Sequence, residues 1–526
     1  MSPFPPNLEG AVPLFDNLGT HHHPVTTTSP LAQRYFDQGL RLYYAFNNDE
    51  ALRSFQQAAR LDPNCAMAYW GIALALGPNI NMPMTRQGED TAYRAIQIAE
   101  SLSNAASERE RAYIAALGRR YSHQGGGDPA VRGRSYAAAM RDLANRFPRD
   151  PDAGTLFGGA LLNLRPWDQW TPDGRPQPGT LEAVATLEGV LQLNPNHPGA
   201  NHYYIHALEA SPYPEKALPA AERIDELMPG AGHLVHMPSH IYFRLGRYAE
   251  AVESSRRGAA VDREYIRKWN PQGNYREMFY PHNIYFEWAA LMMEGRSTEV
   301  LRAAGDLSEI YSYETARNRP FVEFFMPVFL FSLARFGKWD DILRQPRPPN
   351  ELRYLTGMWH YARGLALAAR GQPNKASFEK ERLADIAATV ASRVPLVGNS
   401  PAVLLRLAST VLTGELAARR GGTEDAVHHL QEAVQLHDQL RYDEPPAWYY
   451  PVRQALGAVL LAAGRAQEAE QIYRDDLEKH PRNGWSLFGL AECLRVQEKD
   501  EEAAAVDVEF RKAWARADVT LEASRF

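Results

Sequence analysis

The chain has 526 residues, of which 45% are apolar and 23% charged, and its formal net charge at pH 7 is −6. This composition is typical of a soluble globular protein, and the negative charge argues against non-specific binding to nucleic acid or to an anionic membrane. Two distant cysteines, Cys65 and Cys493, argue against a disulfide framework and against a zinc site built on cysteine. With no signal peptide and no apolar run approaching ~18 residues, we expect a cytoplasmic protein without a membrane span.

The predicted elements are helical almost throughout, so the fold class is expected to be all-α. Residues 1–30 are rich in proline and threonine and are interpreted as an extended arm, and residues 517–526 as a C-terminal tail. Helices are predicted from residue 31 to residue 516, with no strand pattern of useful length. Loops are predicted where glycine, proline, asparagine and aspartate concentrate, at residues 77–93, 122–132, 165–179, 261–280 and 344–353.

Repeated spacings divide this helical region into units of 34 residues. Pro195 and Pro229 each close a predicted helix and are 34 residues apart. Glycines that would cap the first helix of a pair recur at Gly246, Gly295, Gly337, Gly371 and Gly464. Ala51, Phe55, Ala58 and Pro63 match the second helix of a tetratricopeptide (TPR) repeat. The chain therefore resembles TPR solenoids, and the resemblance implies a right-handed superhelix of about ten helix pairs over residues 31–516.

Short motifs carry a more specific likeness. LGTHHHP, which begins at Leu18, and HMPSHIY, which begins at His236, resemble stretches of a bacterial family of long TPR proteins. That resemblance implies the TPR fold and brings no activity with it.

Histidines recur in the register of the repeats between residues 198 and 300. His202 and His206 form one pair four residues apart, and His236 and His240 form a second pair exactly one 34-residue period later. Residues four apart share one face of a helix. His233 and His282 fall at the second position of their helices, on the same stripe as the pairs. In TPR solenoids this stripe lines the concave groove, which is what the resemblance implies for the six histidines.

This pattern predicts a metal site, because neutral imidazole is the commonest protein ligand for zinc, copper, iron and nickel. A pair of histidines at i and i+4 is a ready bidentate site, and six imidazoles suffice for one ion or for two. Copper or zinc is favoured and iron is possible, whereas the scarcity of carboxylates disfavours magnesium, calcium and manganese. Metal affinity should fall as the pH drops through about 6.5, the ordinary pKa of histidine. The alternative is that consecutive repeats share histidines by duplication, without any metal. The predicted ligands are His202, His206, His233, His236, His240 and His282.

Other residues are candidates for roles around the metal. Glu209, Tyr203 and Tyr285 are predicted acid–base or orienting groups, and Phe36 and Trp70 are predicted to hold an organic substrate in the groove. Aromatic residues in helices are, however, more often part of the core. The run His21–His22–His23 is interpreted as an exposed polar loop in preference to a further source of ligands.

Two functions from different classes follow. The first is a metal-dependent enzyme that acts on a small organic substrate, with oxidation favoured over hydrolysis because no general-base carboxylate lies within a ligand motif. The alternative is an interaction scaffold that binds a peptide or protein in the groove, which predicts a groove lined with lysine, arginine and asparagine. The histidines and aromatics favour the enzyme, although fold alone does not fix function. Neither nucleic acid nor a membrane is an expected partner.

Overall fold

The computed structural model describes residues 12–123, 126–271, 275–390 and 398–526. Within these residues the chain is helical and contains no β-strand, apart from one isolated bridge between Trp170 and Pro176. The predicted all-α fold class is confirmed.

The chain forms two compact units. The first consists of Met1–Ile241 and Arg257–Tyr280, and the second of Tyr242–Arg256 and Pro281–Phe526.

The helices of the first unit begin after the N-terminal arm and follow one another through short connections. Short 3₁₀ helices lie at Ser103–Ala105 and Pro214–Ala217, and a π-helix lies at Tyr275–Phe279. The α-helices are α1 (Pro30–Tyr44), α2 (Asn48–Leu61), α3 (Ala66–Ala75), α4 (Arg86–Leu102), α5 (Glu108–Gly118), α6 (Pro129–Arg146), α7 (Pro151–Leu162), α8 (Thr180–Leu193), α9 (Pro198–Leu208), α10 (Leu218–Leu227) and α11 (Gly232–His236).

The boundary between the units falls within three helices, α12 (Pro238–Arg244), α13 (Tyr248–Trp269) and α14 (Tyr280–Met293). The second unit also contains a 3₁₀ helix at Pro320–Phe324. Its remaining α-helices are α15 (Ser297–Ile310), α16 (Tyr313–Asn318), α17 (Val328–Arg335), α18 (Trp339–Arg344), α19 (Arg353–Ala369), α20 (Pro373–Thr389), α21 (Pro401–Arg419), α22 (Thr423–Asp438), α23 (Val452–Ala462), α24 (Ala466–Lys479), α25 (Gly484–Val496) and α26 (Asp500–Ala513).

Consecutive helices pair, and glycines let an aromatic ring enter between neighbouring pairs. Phe55 of α2 is fully buried, and a β-carbon added at Gly39 of α1 or at Gly71 of α3 would lie 2.7 or 2.3 Å from its ring. The second unit repeats this arrangement around Tyr473 of α24, where β-carbons added at two glycines, Gly457 and Gly489, would lie 2.5 and 2.2 Å from the ring. Each repeat therefore buries its apolar face against the next, which is the packing that a TPR solenoid requires.

Glycine also shapes the turns inside the pairs, as the sequence predicts. The five glycines expected to cap first helices all have positive φ, between 61° and 70° for four of them and 76° at Gly464. The turn after α1 differs, because Phe46 occupies the corresponding position with φ of 58°. A side chain in this left-handed region costs roughly 1–2 kcal/mol, so the chain maintains a strained phenylalanine at a position where these five turns use glycine.

Three of the predicted loops are wrong in part, because helices begin or end inside them. Helix α4 begins at Arg86, within the loop predicted for 77–93, and α6 begins at Pro129, within 122–132. The proline that suggested a loop is instead the first residue of α6, where its missing N–H costs nothing, and Asp128 caps the helix. Helix α13 extends to Trp269 inside the third such region, 261–280.

Both ends of the described chain pack onto the helices. In the N-terminal arm Leu18 is buried, and the Gly230 N–H donates to the Asn17 carbonyl at 2.8 Å. At the other end, the Asp518 carboxylate accepts the main-chain N–H groups of Ser297 and Thr298 at 2.6 and 2.8 Å. It thereby caps the N-terminus of α15, where negative charge is stabilising.

One helix among the described residues, Pro401–Arg419, is long and apolar enough to cross a membrane by length and composition. Of its most apolar window, 56% is buried against the rest of the protein, and core helices of soluble proteins meet the same criteria. The absence of a membrane span stays a prediction.

The packing of Phe55 makes a testable prediction about two glycines in helices. Gly71→Ala should lower the free energy of unfolding by about 1–3 kcal/mol, because the new methyl group has no space beside the ring. Gly189→Ala in α8 is the matched control, since a β-carbon there meets nothing within 4 Å, and alanine should stabilise this helix by about 0.5–1 kcal/mol. Denaturant unfolding of both variants measures the difference, and equal stabilities would contradict the packing described here.

Candidate metal centre

Helix α9 carries the first histidine pair. His197 caps it by accepting the Ala200 N–H at 3.1 Å, and Pro198 follows as its first residue. The helix then places His202 and His206 one turn apart, and both are buried, with exposures of 0% and 4%. The sequence prediction of a shared helical face is therefore correct for this pair.

The second pair lies on two short helices and not on one. Helix α11 ends at His236, Met237 forms a turn, and α12 begins at Pro238. Pro238 is thus the first residue of α12, and its missing N–H interrupts the helix between the two histidines. The imidazoles nevertheless meet, because the Nε2 atoms of His236 and His240 are 3.0 Å apart.

Five imidazoles of the first unit lie together, and we call them the imidazole cluster: His202, His206, His233, His236 and His240. The Nε2 atom of His202 is 3.0 Å from that of His206 and 3.1 Å from that of His233. All five are at most 4% exposed. The side chains of His206 and His240 are also linked through Glu209. The cluster therefore consists of a three-histidine set and a two-histidine set, joined by one carboxylate.

Three Nδ1 atoms of this cluster face groups that can only accept a hydrogen bond, which fixes the proton position on those rings. His202 Nδ1 lies 2.6 Å from the main-chain carbonyl of Tyr44, which can only accept a hydrogen bond. One carboxylate oxygen of Glu209 lies 2.7 Å from His206 Nδ1, and the other lies 2.5 Å from His240 Nδ1. In the neutral form, these three rings must therefore carry their proton on Nδ1 and leave a bare lone pair on Nε2.

The lone pairs of His202 and His206 converge. Two unprotonated Nε2 atoms 3.0 Å apart, those of His202 and His206, repel each other unless a proton or a metal ion lies between them. A proton is disfavoured because burial, followed by the nearby His206, lowers the pKa of His202 well below 6.5. The pKa of Glu209 would be raised by burial alone, but His240 and His206 bring it to about 2, so this carboxylate remains ionised.

The spacing of the nitrogens fits a transition metal. Imidazole nitrogens bound at ~2.0–2.1 Å are separated by about 3.3 Å in a tetrahedral site and about 2.9 Å at adjacent positions of an octahedral one. The separations of 3.0 and 3.1 Å around His202 fall within this range. The Nδ1 acceptors are the outer-shell partners that orient metal-binding histidines in proteins. The residues present therefore fit a metal ion.

Aromatic rings cover the imidazoles. Phe46 lies 4.4 Å from the His202 ring between centroids and is nearly parallel to the rings of His206 and His233, both at 5.7 Å. Phe279 contacts His233 at 4.9 Å, and the ring of Trp167 meets His206 edge-on at 5.6 Å. Phe46 and Trp167 both have φ of 58°. Backbone strain of this kind collects at functional sites, and here it accompanies two rings that lie against the cluster.

The strain at Phe46 can be measured with two substitutions that both remove the ring. Phe46→Gly should be more stable than Phe46→Ala by about 1 kcal/mol, because only glycine accepts positive φ without a steric cost. Both variants should release metal to a chelator faster than the unchanged protein, since both uncover the imidazoles. Equal stabilities of the two variants would show that the backbone at this position is not strained.

Several predicted site residues are not where the sequence placed them. Five of the six histidines of the predicted stripe, all except His282, are buried and do not line an open groove. Phe36 and Trp70 are buried in the helix-packing core, at 0% and 2% exposure, and the Trp70 Nε1–H donates to the Tyr113 carbonyl at 3.2 Å. The prediction that these two aromatics hold a substrate loses its basis, because no ligand can reach them without displacing the core.

The predicted catalytic groups also need correction. Glu209 is held by two imidazole N–H groups, so it is a positioning residue and not a free acid or base. Tyr203 packs beside Phe46, and its hydroxyl bonds to that of Tyr43. Tyr285 belongs to the second unit, where its ring stacks on Trp288 at 5.1 Å. Burial raises the pKa of both predicted tyrosines, which disfavours their ionised forms.

His282, the sixth predicted ligand, belongs to the second unit, where its ring meets that of Phe286 at 5.3 Å. Its assignment as a ligand stays a prediction from the repeat register.

Sequence reasoning missed several contributors around the cluster. The carbonyl of Tyr44 offers no sequence pattern, because every residue has one. Phe46 could have been found, since it stands where five other turns carry glycine. The interpretation of the His21–His22–His23 run as an exposed loop is correct only for His22, whose side chain is 53% exposed. The side chains of His21 and His23 are buried against Asp152 of α7, at 8% and 3% exposure.

Comparisons with known proteins add little to this picture. No protein-family model and no curated protein match the chain. Among solved structures, the human IFIT1 dimer with m7Gppp-AAAA has 12% identity and a TM-score of 0.35, covering 93% of this chain and 91% of that one. The TPR domain of P58(IPK) has 12% identity and a TM-score of 0.22, covering 90% of this chain and 99% of that one. Such low scores have no bearing on function. The packing of the chain's own helix pairs is of the TPR type.

Proposed function

We propose that this protein binds a transition metal in the imidazole cluster and is a metal-dependent enzyme for a small organic substrate. The convergence of bare Nε2 lone pairs in a buried site carries the proposal. Copper or zinc suits an all-imidazole first shell best, and iron is the third candidate. When bound, such an ion supplies a Lewis acid or a redox centre.

The cluster has room for two sites of different character. His202, His206 and His233 offer three ligands, a number that leaves a coordination position open, as in catalytic metal sites. His236 and His240 offer two ligands. The rings of His206 and His240 are 5.5 Å apart between centroids, which makes the two sets close neighbours. We therefore propose one ion on the three-histidine set and a second on the pair.

The surrounding residues favour oxidation over hydrolysis. Hydrolysis needs a carboxylate or imidazole free to take a proton from water. Glu209, the carboxylate within the cluster, already accepts two N–H groups and has a pKa of about 2, so it is a poor base. The rings of Phe46 and Phe279 limit the access of water.

Elemental analysis tests the proposal. The protein should be purified without a histidine tag or a nickel column, and its metal content measured per chain. We expect one to two equivalents of copper, zinc or iron, and turnover of a panel of small organic substrates that stops when a chelator removes the metal and resumes when it is restored. If the untagged protein carries no metal and binds none, the metalloenzyme proposal fails. The alternative, a TPR scaffold that binds a peptide or protein partner, then takes its place.

The burial of the cluster predicts that metal is retained in mildly acidic solution. Protons compete with metal for Nε2, so metal is lost as the pH falls. Because burial lowers the pKa values of His202 and His240, half of the metal should be released clearly below pH 6.5, the value expected for exposed histidines. Dialysis at stepped pH followed by elemental analysis gives the midpoint. Release at or above pH 6.5 would show that the imidazoles are more accessible than described.

A further inference from the structure

A second cluster of histidines surrounds the carboxylate of Asp152, near the start of α7. Its Oδ1 atom lies 2.9 Å from His21 Nε2, 3.1 Å from His197 Nε2 and 2.6 Å from the Tyr44 hydroxyl. Its Oδ2 atom lies 2.8 Å from His23 Nδ1. Asp152 is 3% exposed. Four donors from distant parts of the first unit thus meet on one buried carboxylate.

The protonation of these rings differs from that in the imidazole cluster. His197 Nδ1 accepts the Ala200 N–H, so its proton must lie on Nε2, which points at Asp152. That nitrogen has no lone pair to offer a metal. Although burial would raise it, the pKa of Asp152 is held well below its ordinary value by His21 and His23, and the carboxylate is ionised. The hydrogen bonds to Asp152 attach the N-terminal arm to α7. The negative charge of Asp152 is compensated by donors of the protein itself.

A cavity of about 730 Å³ lies above this anchor, and its volume falls in the usual range of small-molecule sites, ~300–1,000 Å³. Arg109, Arg146 and Arg149 line it together with His21 and His23. The arginines come from two places in the chain, the start of α5 and the segment around the end of α6. Guanidinium groups grouped in this way suit carboxylates and phosphates, which they bind through two parallel hydrogen bonds.

Two of the three arginines lie beside carboxylates, and the third, Arg149, is exposed at the rim of the cavity. Asp150 accepts the main-chain N–H groups of Asp152 and Ala153 on one oxygen and the Tyr113 hydroxyl on the other, with Arg109 at 3.8 Å. Asp152 is occupied by its own four donors. Of the arginines, Arg146 pairs with Glu108, whereas Arg149 is exposed at the rim.

His23 supplies a separate indication that the site is built for a ligand. Its Nδ1–H donates to Asp152. Burial would lower the pKa of His23, but Asp152 raises it above the ordinary value, which favours the protonated ring, in which Nε2–H is a donor. That Nε2 atom is buried and has no hydrogen-bond partner in the described part of the chain, and the side chain is 97% buried. A buried N–H without an acceptor is costly, and the oxyanion of a ligand would satisfy the arginines and this N–H together.

We propose that this cavity binds a small molecule with a phosphate or carboxylate group, at a site separate from the metal centre. The arginines and the Nε2–H of His23 hold the oxyanion. The proposal does not depend on metal binding by the imidazole cluster, so it can be tested on the metal-free protein.

Isothermal titration calorimetry on the full chain, after metal removal with a chelator, tests this directly. The probes are inorganic phosphate and succinate, titrated separately at 150 mM salt. We expect one probe or both to bind with one site per chain and Kd below about 10 mM. Binding of phosphate alone, or of succinate alone, assigns the oxyanion class. If neither probe binds, the proposal is overturned.

The matched variants are Arg149→Gln, at the rim of the cavity, and Arg141→Gln, which removes an equal charge from α6 outside the cavity lining. Arg141 pairs with Glu182 on the surface, and neither arginine is buried, so both variants should fold. Arg149→Gln should weaken binding about tenfold, as expected for one charge-assisted contact of roughly 1.4 kcal/mol, and Arg141→Gln should leave it unchanged. Equal Kd values for the two variants would overturn the proposal.

Discussion

His202→Ala is expected to remove most of the bound metal while leaving the helical fold in place. His202 is the central member of the three-histidine set, since its Nε2 lies next to those of both His206 and His233. The free energy with which a protein binds a structural zinc ion is roughly 10–16 kcal/mol in total, contributed by all of its ligands together. Losing one of a few ligands should therefore weaken binding by a factor on the order of 100 or more. Metal per chain after gel filtration measures the loss.

Two controls separate metal loss from general damage. His360→Ala removes a histidine of the second unit that is similarly buried and whose Nδ1 bonds to the Glu379 carboxylate. It should cost stability and leave the metal content unchanged. His429→Ala, on the partly exposed face of α22, should change neither property. If His202→Ala retains a full equivalent of metal with normal helix content, the imidazole cluster is not the metal centre.

The sequence predicts the repeat architecture and the meeting of the histidines for the same reason. Both depend on periodicity, and a 34-residue spacing places equivalent positions of consecutive repeats side by side. The register of His202 with His236, and of His206 with His240, is enough to bring the four imidazoles into one region. The glycines in the turns follow from the same local rule, since each must adopt positive φ.

The environment of the site could not be predicted, because it depends on contacts between distant parts of the chain. The carbonyl that orients His202 belongs to a residue 158 positions earlier, Tyr44. Periodicity indicates the face of a helix on which a residue lies, but not what covers that face. The sequence therefore predicts that the histidine stripe lines a groove, whereas in the structure Phe46 and Phe279 cover its imidazoles. The prediction for Phe36 and Trp70 is wrong for the same reason. An aromatic residue that faces the core and one that faces a groove recur with the same helical spacing, so the sequence does not distinguish them.

The role of Glu209 leads to the second large expected effect, that of Glu209→Gln. The carboxylate accepts Nδ1–H from His206 on one oxygen and from His240 on the other. It therefore fixes the same tautomer in both sets of ligands at once. Glutamine has nearly the same shape but only one acceptor, because its second terminal atom is an NH₂ donor.

In the glutamine variant, one of the two imidazoles must face the NH₂ group. Its Nδ1 then has to accept a hydrogen bond, so its proton moves to Nε2 and blocks the lone pair that the metal needs. Loss of an orienting partner of this kind typically weakens metal binding 10–100-fold, and we expect a decrease of this size for whichever ion His206 or His240 binds. The negative charge beside the metal is lost as well, which acts in the same direction.

Glu188→Gln is the matched control for this substitution. Glu188 lies on the neighbouring helix, α8, and accepts a hydrogen bond from the Tyr204 hydroxyl at 2.8 Å, which a glutamine oxygen can also accept. Competition titrations with a chromogenic chelator should show weaker metal binding in Glu209→Gln and unchanged binding in Glu188→Gln. Circular dichroism should show the same helix content in both, because the helix pairs pack through apolar side chains. If Glu209→Gln binds metal as tightly as the unchanged protein, this carboxylate does not set the tautomers of His206 and His240. The argument that a metal ion lies between the Nε2 atoms of the cluster then loses its main support.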